Sequence, residues 1–280
     1  MPPSEAEVRR VLGRLELGGV PGVLGELCRQ RFTDYSGQPA AEWPAPRPLG
    51  RLRDALGGAE LSVLAEVKRA SPSQGPIRAS AVAAETALAY ASAGAAAISV
   101  LTEPTRFRGR LSDLLEVSAA LPDYPVLRKD FIVHPRMLIE AAWAGASAAL
   151  LIAAALGESL SAFLDWAREL GLDALVEVHD QGELQRAMDS GAEIIGINNR
   201  DLATLSVDRS TAPQLARLAR SAGFRGILVA ESGYQAGSEL ADLTGIDAVL
   251  VGSSLMANAD PGAALKRFLD ESKLPGRSAH

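Results

Sequence analysis

Eight short apolar runs, each followed by a longer amphipathic stretch, most constrain what this chain can fold into. They read LSVLAEV (61–67), AAISVL (96–101), PVLRK (125–129), SAALLI (147–152), DALVEV (173–178), EIIGIN (193–198), GILVAE (226–231) and DAVLVG (247–252). Most are continuously apolar rather than alternating, which predicts strands covered on both faces. Helical candidates lie between them, among them AVAAETALAYASAG, MLIEAAWAG, ESLSAFLDWARELG and GELQRAMDSG. Several close on a glycine just before the next strand (Gly94, Gly145, Gly171, Gly191), a common helix C-terminal device. Eight such units across residues 61–270 predict a (β/α)8 TIM barrel. The competing fold is an open doubly wound sheet, which usually carries a glycine-rich dinucleotide turn after its first strand. Here KRASPSQGP follows the first strand, with no G-x-G-x-x-G.

Residues 1–60 differ in texture. Ser4 and Glu7 can form a capping box for a helix with Val8, Val11, Leu12 and Leu15 on one face. A second helical pattern follows at Val20, Val23, Leu24 and Leu27, then the proline-rich QPAAEWPAPRPLG and a further short helix in LGRLRDAL. The whole, 1–280, reads as one barrel domain with residues 1–60 as an N-terminal helical extension. Cys28 is the single cysteine and reads as core, and the three histidines with it form no metal-ligand pattern. A net charge of −6 argues against general binding to nucleic acid or an anionic membrane, while leaving room for local cations around a small anion. No apolar run is long enough to span a membrane, and MPPSEAEVRR has no apolar segment after its charges, so a cytoplasmic protein is expected.

In a barrel of this kind the C-terminal ends of the strands build the active site. Those ends offer Glu66 and Lys68, Glu103 with PTRFRGR, Lys129 and Asp130, Glu177, Asn198 and Arg200, Glu231 with Ser232-Gly233, and Gly252-Ser253. Glu66, Glu177 and Glu231 face Lys68, Lys129 and Arg200, three acids against three bases. Isolated charges in such a mouth are costly, so pairing is expected, and pairing shifts pKa values in the way acid–base chemistry needs. ESG and GSS, after the seventh and eighth strands, suit a phosphate site.

The motifs EVKRASPSQG, ISVLTEPTRFRGR, LRKDFIV, LLIAAAL, LVEVHD, GINNRDL, AESG and VGSSLM, in this order, resemble those of the indole-3-glycerol phosphate synthase family. The resemblance runs from about PRPLGRLRDAL to the C-terminal helix, and the first 45 residues share only its helical character, which implies an N-terminal helical extension over the barrel mouth. It implies conversion of 1-(2-carboxyphenylamino)-1-deoxyribulose 5-phosphate to indole-3-glycerol phosphate, CO2 and water, with no metal or organic cofactor. It also implies Lys129 as general acid in ring closure, and Glu177 and Lys68 as the acid and base of dehydration with their order left open. Glu66 would orient a lysine and Asn198 would hydrogen-bond the reacting groups. Arg200 would position the substrate and Glu231 would be among the substrate-binding residues, though taken alone Glu231 suits only bracing of Lys68 or Arg200. Ser71, Phe107, Phe131 and Leu151 would line the aryl pocket, and Ser232, Gly233, Gly252 and Ser253 would hold the phosphate with help from Lys68. The family's loop usually has a small or amide residue near the glycine where this chain has Phe107-Arg108-Gly109-Arg110; the added charge suits either assistance to an anionic substrate or, as the blander reading, solvated surface. Transient contact with other tryptophan-pathway enzymes is compatible with the resemblance.

Other readings compete at the level of single residues. Glu66–Lys68 alone suits a structural rim pair, Asn198-Asn199 a turn, His134 a helix start, and His179 a cap rather than a catalyst. A Schiff-base lyase, a sugar-phosphate isomerase and a non-catalytic phosphate binder are the rival functions.

Overall fold

A computed structural model of the chain describes residues 3–38, 42–46, 48–201, 203–241 and 243–272. Eight parallel strands close into a barrel: β1 (Ser62–Val67), β2 (Ala97–Leu101), β3 (Val126–Lys129), β4 (Ala148–Ile152), β5 (Asp173–Val178), β6 (Ile194–Asn198), β7 (Ile227–Glu231) and β8 (Ala248–Val251). Each pairs with its sequence neighbours, and β1 closes the ring on β8 through Ser62 opposite Ala248 to Ala65 opposite Val251. The eight apolar runs are these strands to within a residue. They are buried along nearly their whole length, as sheet covered by helices outside and side chains inside requires.

Helices α1 (Glu5–Leu12), α2 (Gly22–Tyr35) and α3 (Arg51–Leu56) precede the barrel. The outer layer contains α4 (Ala83–Ala93), α5 (Leu111–Ala120), α6 (Pro135–Trp143), α7 (Ala153–Leu156), α8 (Leu160–Glu169), α9 (Gln181–Asp189), α10 (Thr211–Ser221), α11 (Ser253–Met256) and α12 (Pro261–Ser272). Ser4 caps α1 by accepting from the Glu7 amide at 3.2 Å. The helix stops at Leu12, one turn short of the expected Leu15. Gly94 and Gly145 end α4 and α6 with φ of +101° and +91°, a left-handed turn that a side chain would strain. After β4 the chain enters α7 at once. Residues 42–46 of the proline-rich passage form no regular element; 39–41 and 47 lie outside the described residues.

α2 runs eight residues past Leu27, where apolar periodicity fades. A buried charge network holds this second half. Arg31 grips Asp130 through two hydrogen bonds, 3.0 and 2.8 Å long, and Asp130 also accepts from Arg128, Thr102 and the Phe131 amide. Arg128, 1% exposed, donates to the Met137 carbonyl, and Tyr35 donates to Glu140 at 2.5 Å. Burial works against the charge on Asp130, but Arg128 and Arg31 outweigh it and hold the carboxyl below its usual range. The network ties α2 to β3 and α6, directly beside the barrel mouth.

Candidate active site

Strand periodicity of two, applied to eight neighbours, decides which side chains meet at the C-terminal end of the barrel. A cavity of about 850 Å³ opens there. Its polar floor comes from five strands, four of which supply charges. Lys129, at the end of β3, donates to Glu177 on β5 at 2.9 Å and to Glu231 on β7 at 3.0 Å. Lys68, just past β1, lies 2.7 Å from Glu66. Asn198 ends β6 beside Glu231 in register and accepts the Arg200 amide at 3.0 Å. The three carboxylates are each no more than 2% exposed.

Two glycines make room for this floor. A methyl group on Gly196 would fall on Glu231 Oε1, and one on Gly252 would lie 2.5 Å from Glu66 Oε1 and 3.1 Å from Lys68 Nζ. Crowding like-charged groups in a dry place splits their titration. Burial works against the charge on Lys129, but Glu177, Glu231 and Glu66 outweigh it and raise the ammonium well above its ordinary range. Glu177 is buried too, yet Lys129 and His179 hold it far below the usual carboxylate range. Burial pushes Glu231 up to about 7; Lys129 pulls it down, and Glu177 and Glu66 oppose that pull.

The walls come from loops that the chain itself braces. Glu103, fully buried, accepts from the amides of Thr105, Arg106 and Phe107, which fixes the loop after β2 and places Phe107 in the wall. Phe107 and Phe131 meet with ring centroids 6.0 Å apart. Gly109 permits this fold-back, since a methyl there would strike the Leu101 carbonyl. Arg108 and Arg110 are exposed and stand outside the cavity lining. After β1, Ala70–Ser71 pairs antiparallel with Gly75–Pro76, and Ser71 to Gln74 line the mouth. Arg69 anchors that hairpin to α5 through two bonds to Asp113, 2.5 and 2.7 Å.

After β7, Ser232 and Gly233 both take left-handed φ, +67° and +94°. A serine in that region is strained and must be held there. Asn199 holds it: its amide group donates to the Ser232 carbonyl and the Tyr234 hydroxyl, and its carbonyl oxygen accepts the Ala212 amide of α10. Gly252 and Ser253 face this turn across the cavity lining, and Arg209 joins them, tethered to Glu239 at 2.6 Å.

Of the residues expected at the site, Glu66, Lys68, Ser71, Phe107, Lys129, Phe131, Glu177, Asn198, Arg200, Glu231, Ser232, Gly233, Gly252 and Ser253 all line this one cavity. Leu151 does not. It is fully buried, and its strand neighbours Leu150 and Ile152 line the cavity instead, because alternation turns Leu151 toward the helices. Glu231 braces Lys129, not Lys68 or Arg200. Arg200 donates instead to the Leu205 carbonyl. Sequence reading missed Val23, Leu24 and Leu27 of α2, Arg209, and the contact of His179 with Glu177. For the first three the apolar face and its place near the mouth were expected, but not that these side chains line the cavity. For His179 the spacing of two from Glu177 was the available signal.

A model of the indole-3-glycerol phosphate synthase family matches residues 38–268. The chain belongs to that family. An indole-3-glycerol phosphate synthase of Deinococcus radiodurans is 51% identical over 261 residues, 91% of this chain and 97% of that relative. One from Mycobacterium avium is 47% identical over 241 residues, covering 85% and 87%. Among solved structures, KGPDC from Streptococcus mutans superimposes with a TM-score of 0.58 at 12% identity, covering 76% of this chain and 98% of that one; it shares the barrel fold. Indole-3-glycerol phosphate synthase membership makes the chain a carboxy-lyase of tryptophan biosynthesis. Among the described residues no helix is long and apolar enough to cross a membrane, and no cluster of three or more His, Cys, Asp or Glu side chains is spaced to hold a metal ion.

Proposed function

We propose that this cavity carries out ring closure, decarboxylation and dehydration of 1-(2-carboxyphenylamino)-1-deoxyribulose 5-phosphate, dividing the steps among the paired charges of its floor. The observation that carries the division is the Glu177–Lys129–Glu231 bridge, a single ammonium held between carboxylates from two other strands.

In the first step an aromatic carbon attacks the ribulose ketone. A carbon–carbon bond forms, and the carbonyl electron pair moves onto oxygen. Lys129 supplies both the proton and a positive charge at that oxygen. The ring carboxylate then leaves as CO2, and its bonding electrons restore aromaticity. Finally the hydroxyl departs as water with a proton from Lys68, while Glu177 takes the proton from the adjacent carbon and the double bond forms. Glu177 suits the base role because cations on two sides keep it ionised. Glu66 holds Lys68, Glu231 holds Lys129, and Asn198 presents its amide to the reacting groups.

Ser232, Gly233, Gly252 and Ser253, with Lys68 and Arg209 nearby, take the phosphate end. Phe107, Phe131, Leu150, Ile152 and the aliphatic face of α2 take the aryl end, and Arg200 meets the carboxylate. Because α2 walls the cavity and is tied to β3 by Arg31, the helices ahead of the barrel act with it as one unit. Passing contact with other enzymes of the pathway fits this reading.

Incubation with the carboxyphenylamino sugar phosphate should give indole fluorescence and one CO2 per turnover without added metal. Borohydride should trap no adduct on Lys129 or Lys68. Product without CO2, or a trapped lysine, would replace this reading with an isomerase or a Schiff-base lyase.

A further inference from the structure

His179 follows Glu177 by two residues and so lies on the same side of β5 as that strand ends. Its Nε2 is 3.4 Å from Glu177 Oε1, the oxygen that does not contact Lys129. Its Nδ1 is 3.0 Å from Glu183 Oε2, and its backbone N–H donates to that same oxygen at 2.8 Å. Glu183 is fixed in turn, since its amide donates to Asp180, the N-cap of α9, at 2.8 Å. The result is a row of alternating charge from the cavity to the helix: Lys129, Glu177, His179, Glu183.

Both ring nitrogens therefore face carboxylate oxygens, which only accept. A neutral imidazole carries one N–H and would turn a lone pair on one of them. The imidazolium instead sets its Nε2–H against Glu177 as an ion pair at 3.4 Å, longer than a hydrogen bond, while Nδ1–H meets Glu183. Its charged surroundings agree: Glu177 from β5, Glu183 from α9 and Asp201 from the segment after β6 all act on it, with Lys129 and Glu231 beyond Glu177.

We infer that His179, as an imidazolium bridging Glu177 and Glu183, is a positioning residue that aims Glu177 at Lys129 and the cavity and keeps it ionised until it takes the substrate proton. This rests on the assignment of Glu177 as the base. Burial opposes the charge on His179, but Glu177 and Glu183 outweigh it and raise the ring to about 10, in keeping with this role. A cation placed on each side of a buried carboxylate makes it titrate lower than one alone would.

The test combines a pH profile with a direct titration. In His179→Asn and His179→Ala, folded by circular dichroism, the acidic limb of the kcat profile should move up by about one pH unit, within the range expected for loss of a neighbouring opposite charge. Below that limb kcat should drop about tenfold while KM stays within about twofold, since a one-unit shift is a tenfold change in ionised fraction. Restoring charge with His179→Lys should recover part of the shift. Independently of activity, ring-nitrogen NMR of the wild-type protein should show His179 doubly protonated at pH 8. A neutral ring at pH 7, or an unmoved acidic limb in both folded variants, overturns the inference. Glu177→Gln separates the two levels. If that variant is inactive while the His179 variants keep the wild-type limb, only the role of His179 fails; if it turns over normally, the assignment of Glu177 fails first.

Discussion

Lys129 is the residue whose loss should be most informative. Lys129→Ala removes the proton donor and the cation shared by two buried carboxylates, so indole formation should fall to background. The fold should survive, because Glu231 already titrates near neutrality and can take up a proton in place of its partner. Circular dichroism with an activity assay checks both halves, and normal turnover would remove Lys129 from its role. The glycines beside it are as exacting. Gly252→Ala should displace Glu66 and Lys68 and lower kcat/KM at least tenfold, with a smaller effect on Tm, since the obstruction falls on side chains at the strand end and not on the barrel ladder. A kinetic profile like wild type would show that the pair has room to spare.

At the scale of single elements, α2 carries the cost. Arg31→Ala leaves Asp130 buried with Arg128 as its remaining cation, at a cost of about 3 kcal/mol, the lower end of the range for a broken buried pair. For a domain of this size that is a fall in Tm of roughly 6–12 °C. A change within 2 °C would mean that the network is not what holds α2 to the barrel. This element also shows where the sequence was readable and where it was not. The strands were readable to within a residue because continuous apolar runs have one destination in a closed parallel sheet. Glu66, Lys68, Lys129, Glu177, Asn198 and Glu231 were readable because a charged or polar residue at the end of such a run has nowhere else to go. The second half of α2 was not, since its partner Asp130 lies 99 residues away and local periodicity carries no trace of it. Leu151 failed for a different reason. An unbroken apolar strand gives no hint of which alternate set faces the cavity, and only the neighbouring strands decide it.

Across the whole molecule, gathering three acids in a dry mouth costs stability in a pH-dependent way. The folded carboxyl of Glu231 sits at about 7 against an ordinary 4.5, so between those values the folded chain holds a proton that the unfolded chain has released. Its contribution therefore declines as pH rises through that window. Asp130 works in the other direction: its lowered value gives stability above about 3.8 that disappears as pH falls. Glu231→Gln keeps an acceptor for Lys129 and removes the penalty. Its Tm should exceed wild type by about 2–4 °C at pH 8, with the gap closing near pH 4.5. Differential scanning calorimetry at the two pH values decides this, and an equal or lower Tm for the variant at pH 8 would contradict it. Activity should fall in the same variant, the usual exchange between a strained site and a stable one.

One side of the cavity is furnished by Val23, Leu24 and Leu27, which belong to no strand and obey no ladder register. Exchanging residues on that helical face can recontour the chamber while the eight-fold scaffold stays untouched. A library confined to these three positions is therefore the natural place to search for acceptance of substituted aryl groups, and hence for routes to ring-modified indoles.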